Sequence, residues 1–148
     1  MNEQKNLSLT ISIVSHGQVD LILPLLKQLC KFKNTIKKIL VTINIPENYK
    51  SLTALNNKKI FFILNTQPKG FGENHNNAFK LCDSSFFCVM NPDIRLEKNI
   101  FKKLINIKEK YNINIFTPNI KKDFKNYAIN CRKFPTKYYL LKKHLMMP

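Results

Sequence analysis

The sequence predicts an α/β fold with a mostly parallel sheet flanked by helices, and two observations carry this prediction: apolar runs typical of strands, and segments of helical periodicity between them. Short apolar runs rich in β-branched residues alternate with segments whose apolar residues recur at helical intervals. This alternation of strand and helix is typical of parallel strands joined by right-handed crossovers. The chain has 148 residues, of which 44% are hydrophobic, and it contains no internal repeat or low-complexity linker. We therefore expect one domain over residues 1–148.

The first strand and the first helix are predicted near the amino terminus. Residues 7–15 (LSLTISIVS) are apolar and β-branched, and they predict a strand that ends at His16 and Gly17. Residues 20–32 (DLILPLLKQLCKF) place apolar residues at helical intervals and predict a helix. Pro24 fits this helix only within the first turn, where its missing N–H costs little.

The middle of the chain predicts three further strands and a helix. Residues 36–45 (IKKILVTINI) predict the second strand, and residues 49–57 predict a weak helix or a loop. Residues 58–65 (KKIFFILN) predict the third strand, and residues 73–81 predict a helix. Residues 85–90 (SFFCVM) are short and apolar, which is typical of a central strand.

The carboxyl-terminal part is predicted to continue the same alternation. Residues 96–110 predict a helix with one apolar face and one lysine-rich face. Residues 113–118 (INIFTP) predict another strand, followed by a polar turn around Asp123. A strand at 127–131 (YAINC) and a final helix at 137–145 (KYYLLKKHL) complete the expected order.

The lengths of the apolar segments and the spacing of the cysteines indicate where the protein is located and whether its thiols are free. No segment approaches the ~18 consecutive apolar residues that a membrane span needs, and the first residues do not resemble a signal peptide. We therefore expect a cytoplasmic protein. The four cysteines form no closely spaced pair, so buried free thiols are expected and zinc is not; they are Cys30, Cys82, Cys88 and Cys131.

The formal net charge of +16 suggests a nucleic acid, an anionic membrane or a phosphorylated ligand as a partner. Arg95 and Arg132 are the only arginines, whereas reading of phosphate and guanine favours arginine over lysine. The aromatic residues that could stack on bases lie inside predicted strands and are expected in the core: Phe61, Phe62, Phe86 and Phe87. A basic nucleic-acid-binding α/β domain is thus the alternative that the sequence disfavours.

Two segments carry candidate chemistry, and the first is Asn91-Pro92-Asp93 after the central strand. In an extended segment the side chains of Asn91 and Asp93 point the same way, and Pro92 restricts the backbone between them. Their oxygen atoms form a partial site that suits Mg²⁺ or Mn²⁺ if a diphosphate and water complete the coordination shell. The alternative is a plain turn, in which Asn and Asp serve turn geometry.

The second segment is PKGFGENHNNAF, residues 68–79. Gly70 and Gly72 permit positive φ and close backbone approach, and the following helix start suits an anion. The alternative is a left-handed turn with asparagine caps, although one histidine and three asparagines, at positions 74–77, exceed what capping requires. His16, at the end of the first strand, has either a ligand role or none, and His144 in the basic tail is incidental.

These segments together carry a resemblance to a known family. ISIVSHG, VTINIPEN, PKGFGENHNNAF, FCVMNPDI and a later CRKFPT occur in this order. They resemble the donor-binding half of family 2 glycosyltransferases, in the rhamnosyltransferase-like bacterial group. The resemblance implies a Rossmann-like A-type glycosyltransferase fold that binds a nucleotide-diphosphate sugar with Mg²⁺ or Mn²⁺. It also implies inverting transfer to a glycan or lipid-linked acceptor in cell-surface polysaccharide synthesis.

The resemblance also assigns donor-site residues. Asn91 and Asp93 match the metal and diphosphate motif, with Asp93 as the direct metal ligand. The glycine-containing loop beside the donor is matched by Gly70, Phe71, Gly72 and Asn74. The tip of the first strand, which meets the nucleotide, is matched by Ser15 and His16.

Two departures from the family pattern stand out. Residues 43–45 read Ile-Asn-Ile where an acidic residue commonly holds the nucleotide base, so nucleotide identity is not assigned. No catalytic base is assigned either, because Glu97 and Glu109 lie in a surface-type helix and Asp123 lies in a polar turn. We therefore expect a donor-binding half, truncated at its carboxyl terminus or completed by a second chain that supplies the acceptor half.

The basic tail and the expected truncation each leave two alternatives open. Residues 136–145 (TKYYLLKKHL) predict either an interfacial helix in peripheral contact with an anionic inner membrane or an ordinary packed helix with lysines outside. The chain is either a functional donor-binding domain or a catalytically inactive remnant with exposed apolar surface.

Overall fold

A computed structural model describes residues 7–32, 34–121, 126, 127 and 136. The chain divides into two compact units, residues 1–106 and residues 107–148. The first unit contains the sheet and all eight candidate donor-site residues. A single domain over residues 1–148 stays a prediction.

The sheet has four strands in the spatial order β3-β2-β1-β4. These strands are β1 (Leu9–Ser15), β2 (Ile36–Ile43), β3 (Ile60–Leu64) and β4 (Phe86–Met90). Each neighbouring pair runs parallel. The predicted α/β fold with a mostly parallel sheet is therefore confirmed, and β1 and β2 are the inner strands.

Within the described residues, four helices connect or follow the strands: α1 (Val19–Leu29), α2 (Lys50–Thr53), α3 (Phe71–Phe79) and α4 (Phe101–Tyr111). Helix α4 begins five residues later than predicted, since the Asn99 side-chain oxygen accepts the backbone N–H of Phe101 at 3.1 Å. This Asx turn gives the chain a local alternative to helix immediately before α4.

Pro24 is the sixth residue of α1, so its predicted place in the first turn is wrong. Proline has no N–H, and the carbonyl of Asp20 therefore lacks its usual helical donor. Asp20 is exposed, so that carbonyl has access to water. The buried apolar residues on both sides of Pro24 keep the helix packed; they are Ile22, Leu25, Leu26 and Leu29.

The core forms around β1, whose residues are almost all buried. Ile11 and Ile13 are fully buried and join the apolar face of α1 in one cluster. Burial of such a side chain contributes about 1.5–3 kcal/mol each. The opposite face of β1 carries Thr10 and Ser12, which are also fully buried and find hydrogen-bond partners outside the strand.

The structure corrects two further expectations. Phe61 is 48% exposed rather than in the core, because β3 is an edge strand of the sheet. Residues 113–118 do not form a strand, and Ile115 is 91% exposed. Within the described part of the chain, Lys121 and Tyr127 form an isolated antiparallel bridge. The turn at Asp123, most of the strand at 127–131 and the final helix lie outside the described residues.

The described residues include three of the four cysteines and the helices that could be tested for a membrane span. Cys30, Cys82 and Cys88 are free thiols and are half-buried, and burial raises the pKa of Cys88 to about 11. Cys131 lies outside the described residues. None of the helices in this part of the chain is long and apolar enough to cross a bilayer.

Candidate functional site

A row of polar residues follows the carboxyl ends of the four strands. Asn65 follows β3, Asn44 follows β2, His16 follows β1 and Asn91 follows β4, each directly after the last strand residue. Because all four strands are parallel, these residues lie along the same edge of the sheet in the order of the strands. In open α/β sheets this edge is where ligands bind.

A cleft of about 430 Å³ opens at this edge. The ends of β1, β2 and β4 and the start of α3 contribute to it. Among the described residues that line the cleft, Asp93 is the one carboxylate. The full lining consists of Val14, His16, Gln18, Asn44, Lys69, Phe71, Asn74, His75, Met90, Asn91, Pro92 and Asp93.

The buried side chain of Asn44 is the centre of a hydrogen-bond network beneath the cleft. Its Oδ1 accepts from the backbone N–H of Lys69 at 2.9 Å, from Asn65 Nδ2 at 2.8 Å and from Asn74 Nδ2 at 3.0 Å. The Lys69 N–H can only donate, so this contact fixes which end of the Asn44 amide is the oxygen. Asn44 Nδ2 then donates to the carbonyl of Lys69 at 3.1 Å and to His16 Nδ1 at 2.9 Å.

This network also fixes the tautomer of His16. The Nδ1 atom accepts from Asn44, so the hydrogen of the neutral imidazole resides on Nε2. His16 is exposed and lines the cleft. Its ring therefore supplies an N–H donor to that side of the cleft.

Asn74 holds the loop that precedes α3. Its Nδ2 lies within hydrogen-bond distance of the carbonyls of Lys69 and Gly70, at 3.0 and 3.1 Å. Its Oδ1 accepts from Asn65 Nδ2 at 2.7 Å. The side chain is only 2% exposed, so its polar atoms are engaged within the protein. Asn74 thus lies at the base of the cleft and positions the loop.

The two glycines of this loop have ordinary backbone geometry. Gly70 is extended, with φ −66° and ψ 159°, and the described glycine with positive φ is Gly17. The left-handed turn considered for this loop is therefore wrong. A Cβ at Gly70 or Gly72 would meet no atom within 4 Å, so both positions face open space.

His75 lies on α3 and faces both the sheet and the cleft. Its Nδ1 lies 2.8 Å from the hydroxyl oxygen of Ser12 on β1. The Phe71 ring packs edge-on against the imidazole at a centroid distance of 4.4 Å. His75 is 5% exposed, and burial lowers the pKa of the imidazole below its ordinary value of about 6.5. The ring is therefore neutral at pH 7.

Asn91, Pro92 and Asp93 form a turn rather than the extended segment that the sequence suggested. The backbone N–H of Ile94 donates to the carbonyl of Asn91 at 3.4 Å, and Pro92 occupies the second turn position. Proline is favoured there because its ring presets φ. Asn91 and Asp93 are nevertheless both exposed and line the same cleft.

The cleft brings together five of the eight donor-site residues expected from the sequence: His16, Phe71, Asn74, Asn91 and Asp93. Gly70 and Gly72 are exposed but do not line it, and Ser15 is fully buried. The Ser15 hydroxyl accepts the backbone N–H of Gln18 at 3.1 Å, just before α1 begins.

Sequence reasoning missed Asn44 and Asn65 as site residues. In the sequence, Asn44 marks only the absence of an acidic residue, whereas in the structure it organises the base of the cleft. The available signal was an asparagine directly after an apolar strand, at two successive strand ends. That pattern indicates a polar edge, but not which amides bond to one another.

The fold and the cleft define an α/β protein with a cleft at the carboxyl edge of a parallel sheet, the edge where open α/β proteins bind their ligands. The family model for glycosyl transferase family 2 matches residues 10–145. This chain therefore belongs to glycosyl transferase family 2, and the A-type, Rossmann-like fold expected for it is confirmed. No curated protein matches the chain. Family membership makes it a glycosyltransferase that uses a nucleotide-sugar donor and an acceptor.

Proposed function

We propose that the cleft binds a nucleotide-diphosphate sugar and that the protein transfers the sugar with inversion to a hydroxyl of a glycan or lipid-linked acceptor. One observation carries the proposal: a single cleft at the carboxyl edge joins the Asn91 and Asp93 turn to the tip of β1 and the start of α3. We further propose that the protein belongs to the rhamnosyltransferase-like group and acts in cell-surface polysaccharide synthesis. Family membership does not favour the nucleic-acid-binding or inactive-remnant alternatives.

The chemistry of the cleft suits a diphosphate. Lys69 contributes an ammonium group, which lies 3.2 Å from Glu73 on the first turn of α3. His16 contributes its Nε2 hydrogen. Hydrogen bonds from charged or oriented donors to anionic oxygens are among the strongest in proteins. The Lys69 ammonium and the His16 N–H therefore favour an anionic, oxygen-rich ligand. Asp93 is the one carboxylate among the described lining residues.

We propose that Asp93 and Asn91 hold Mg²⁺ or Mn²⁺ together with the diphosphate. Both side chains carry oxygen atoms, which these hard cations prefer, and both are exposed to the cleft. No group of three or more His, Cys, Asp or Glu that could hold a metal exists within the described residues. The site is thus a partial one that donor oxygens complete. Asp93 and Asn91 would hold the cation, which would supply Lewis-acid stabilisation of negative charge on the diphosphate.

Binding measurements on the full chain test this function. Calorimetry or ligand-observed NMR with UDP, dTDP and GDP and their sugars is carried out with and without Mn²⁺. We expect at least one nucleotide to bind in a metal-dependent manner, and Asp93→Ala to remove that dependence. The reason is that Asp93 supplies the carboxylate ligand of the partial site.

Asp83→Ala is the matched control for Asp93→Ala. Asp83 is also an exposed aspartate, but it precedes β4 at the opposite edge of the sheet, where it pairs with Lys37 and Lys38 at 3.2 Å. We expect this variant to bind like the unsubstituted chain. Absence of binding to any nucleotide would contradict the proposed function, and unchanged metal dependence in Asp93→Ala would contradict the assigned metal ligand.

A further inference from the structure

His75 carries a buried polar atom that takes no part in the proposed metal and diphosphate contacts. Its Nε2 is buried and has no hydrogen-bond partner among the residues that the structure describes. The imidazole lines the cleft, and the other ring nitrogen is held by Ser12 on β1. A buried polar group without a partner costs free energy, so its presence beside a cleft requires a physical explanation.

The Ser12 contact determines which ring nitrogen carries the hydrogen. Ser12 is fully buried, and its hydroxyl has one hydrogen to donate. Within the described residues the structure gives this hydroxyl one partner, His75 Nδ1 at 2.8 Å. If Nδ1 carried the hydrogen, the hydroxyl hydrogen would be left buried without an acceptor. The favoured arrangement therefore has Ser12 donating to Nδ1, and Nε2 carrying the hydrogen of the neutral ring.

The partner of Nε2 must then be a hydrogen-bond acceptor, which in this cleft means an oxygen atom. The Phe71 ring, which packs edge-on against the imidazole, is 62% exposed and also lines the cleft. It sits at the first residue of α3, one turn before His75. Because this side chain is exposed and contacts the imidazole, its rotation would open space beside the ring without any movement of the buried strands.

We propose that His75 donates its Nε2 hydrogen to an oxygen atom of the bound donor, either of the diphosphate or of a sugar hydroxyl. Ser12 is the positioning residue, because its hydroxyl holds the ring in the donating tautomer. This inference rests on the proposed function and names a contact within that site. It explains why a neutral histidine, rather than an apolar residue, faces the cleft from α3.

Two substitutions at position 75 distinguish the contributions of the two ring nitrogens to binding. His75→Asn keeps an acceptor near the position of Nδ1 for Ser12 but removes the donor at Nε2. His75→Gln places an amide N–H near the position of Nε2 but loses the Ser12 contact. We expect His75→Asn to weaken binding of the best nucleotide by about tenfold, and His75→Gln to weaken it less.

Asn76→Ala is the matched control on the next residue of α3, because Asn76 is exposed and does not line the cleft. We expect it to bind like the unsubstituted chain. Inorganic pyrophosphate, nucleoside diphosphates and nucleotide sugars are compared in each variant. A loss that extends to pyrophosphate assigns the contact to a phosphate oxygen, whereas a loss confined to nucleotide sugars assigns it to a sugar hydroxyl.

Nitrogen-15 NMR of the histidine side chains tests the tautomer in the unsubstituted chain. We expect the His75 ring to carry its hydrogen on Nε2, the Nε2–H resonance to shift when a nucleotide binds, and Ser12→Ala to produce a mixture of tautomers. A merely structural Ser12–His75 contact would leave the Nε2–H resonance unchanged on binding.

Three results would overturn the inference in distinguishable ways. Nucleotide binding with equal affinity in the unsubstituted chain and His75→Asn would overturn the His75 contact and leave the donor site intact. A hydrogen on Nδ1 would overturn the direction of the proposed bond. If the unsubstituted chain bound neither nucleotides nor pyrophosphate, the donor site and the His75 contact would fail together.

Discussion

At the residue scale, one amide side chain joins three segments of the chain. Asn44 is 4% exposed and bonds to His16 after β1, to Asn65 after β3 and to the loop that carries Lys69. These partners are 21 to 28 residues away in sequence. In a buried network each polar group needs its protein partners, because a group that loses one cannot form a hydrogen bond to water instead.

We predict that Asn44→Ala lowers the free energy of unfolding by about 2–4 kcal/mol. The substitution removes the acceptor of the Lys69 N–H and of two side-chain amides in a buried place. Urea unfolding at constant pH and salt measures the change. Asn76→Ala, an exposed asparagine substitution, is the control and should change stability little. A loss below about 0.5 kcal/mol for Asn44→Ala would contradict the central role of this amide.

At the element scale, α1 illustrates how tertiary packing overrides local preference. Its sixth residue is Pro24, where proline is unfavourable in an isolated helix. Helix formation continues because the apolar face of α1 is buried in the same cluster as β1. Most helical stability in proteins comes from such packing rather than from intrinsic propensity.

We predict that Pro24→Ala raises the free energy of unfolding by about 1 kcal/mol. Alanine restores the donor for the Asp20 carbonyl, and this gain exceeds the loss of the proline's restriction on the unfolded chain. Chemical unfolding again gives the value. The control is Pro46→Ala in the exposed turn after β2, which gains no helical hydrogen bond and should be neutral or slightly destabilising. Destabilisation by Pro24→Ala would mean that the proline packs favourably within α1.

At the scale of the whole molecule, charge imbalance is the dominant feature. The chain has 25 Lys and Arg residues but only 9 Asp and Glu residues, so its formal net charge is +16. A net charge far from zero destabilises the compact state through self-repulsion. The same charge attracts anionic ligands towards the protein, the diphosphate of the proposed donor among them.

We predict that NaCl stabilises the protein by screening this repulsion. Raising its concentration from 0.01 M to 0.1 M shortens the Debye length from about 30 Å to about 10 Å. The expected increase in Tm is about 2–4 °C, which corresponds to about 1 kcal/mol for a chain of this length. KCl at the same ionic strength should give the same shift. A Tm that falls or stays constant would mean that favourable charge pairs outweigh the repulsion.

Local patterns in the sequence predict all four strands of the sheet and the segments that line the cleft, but they also predict a strand at residues 113–118 that does not form. Alternating apolar runs are a local signal, and motifs in a fixed order between residues 11 and 136 carry the family resemblance. Tertiary structure alone decided the pairing of Asn44 with Asn65 and Asn74, the burial of Ser15 and the partnership of Ser12 with His75. These contacts join residues that are distant in sequence, and their partners are fixed only when the strands align along one edge. The place of Pro24 likewise depended on packing, which local preferences do not reveal, whereas the turn at Asn91 is the alternative that its residue types already indicate.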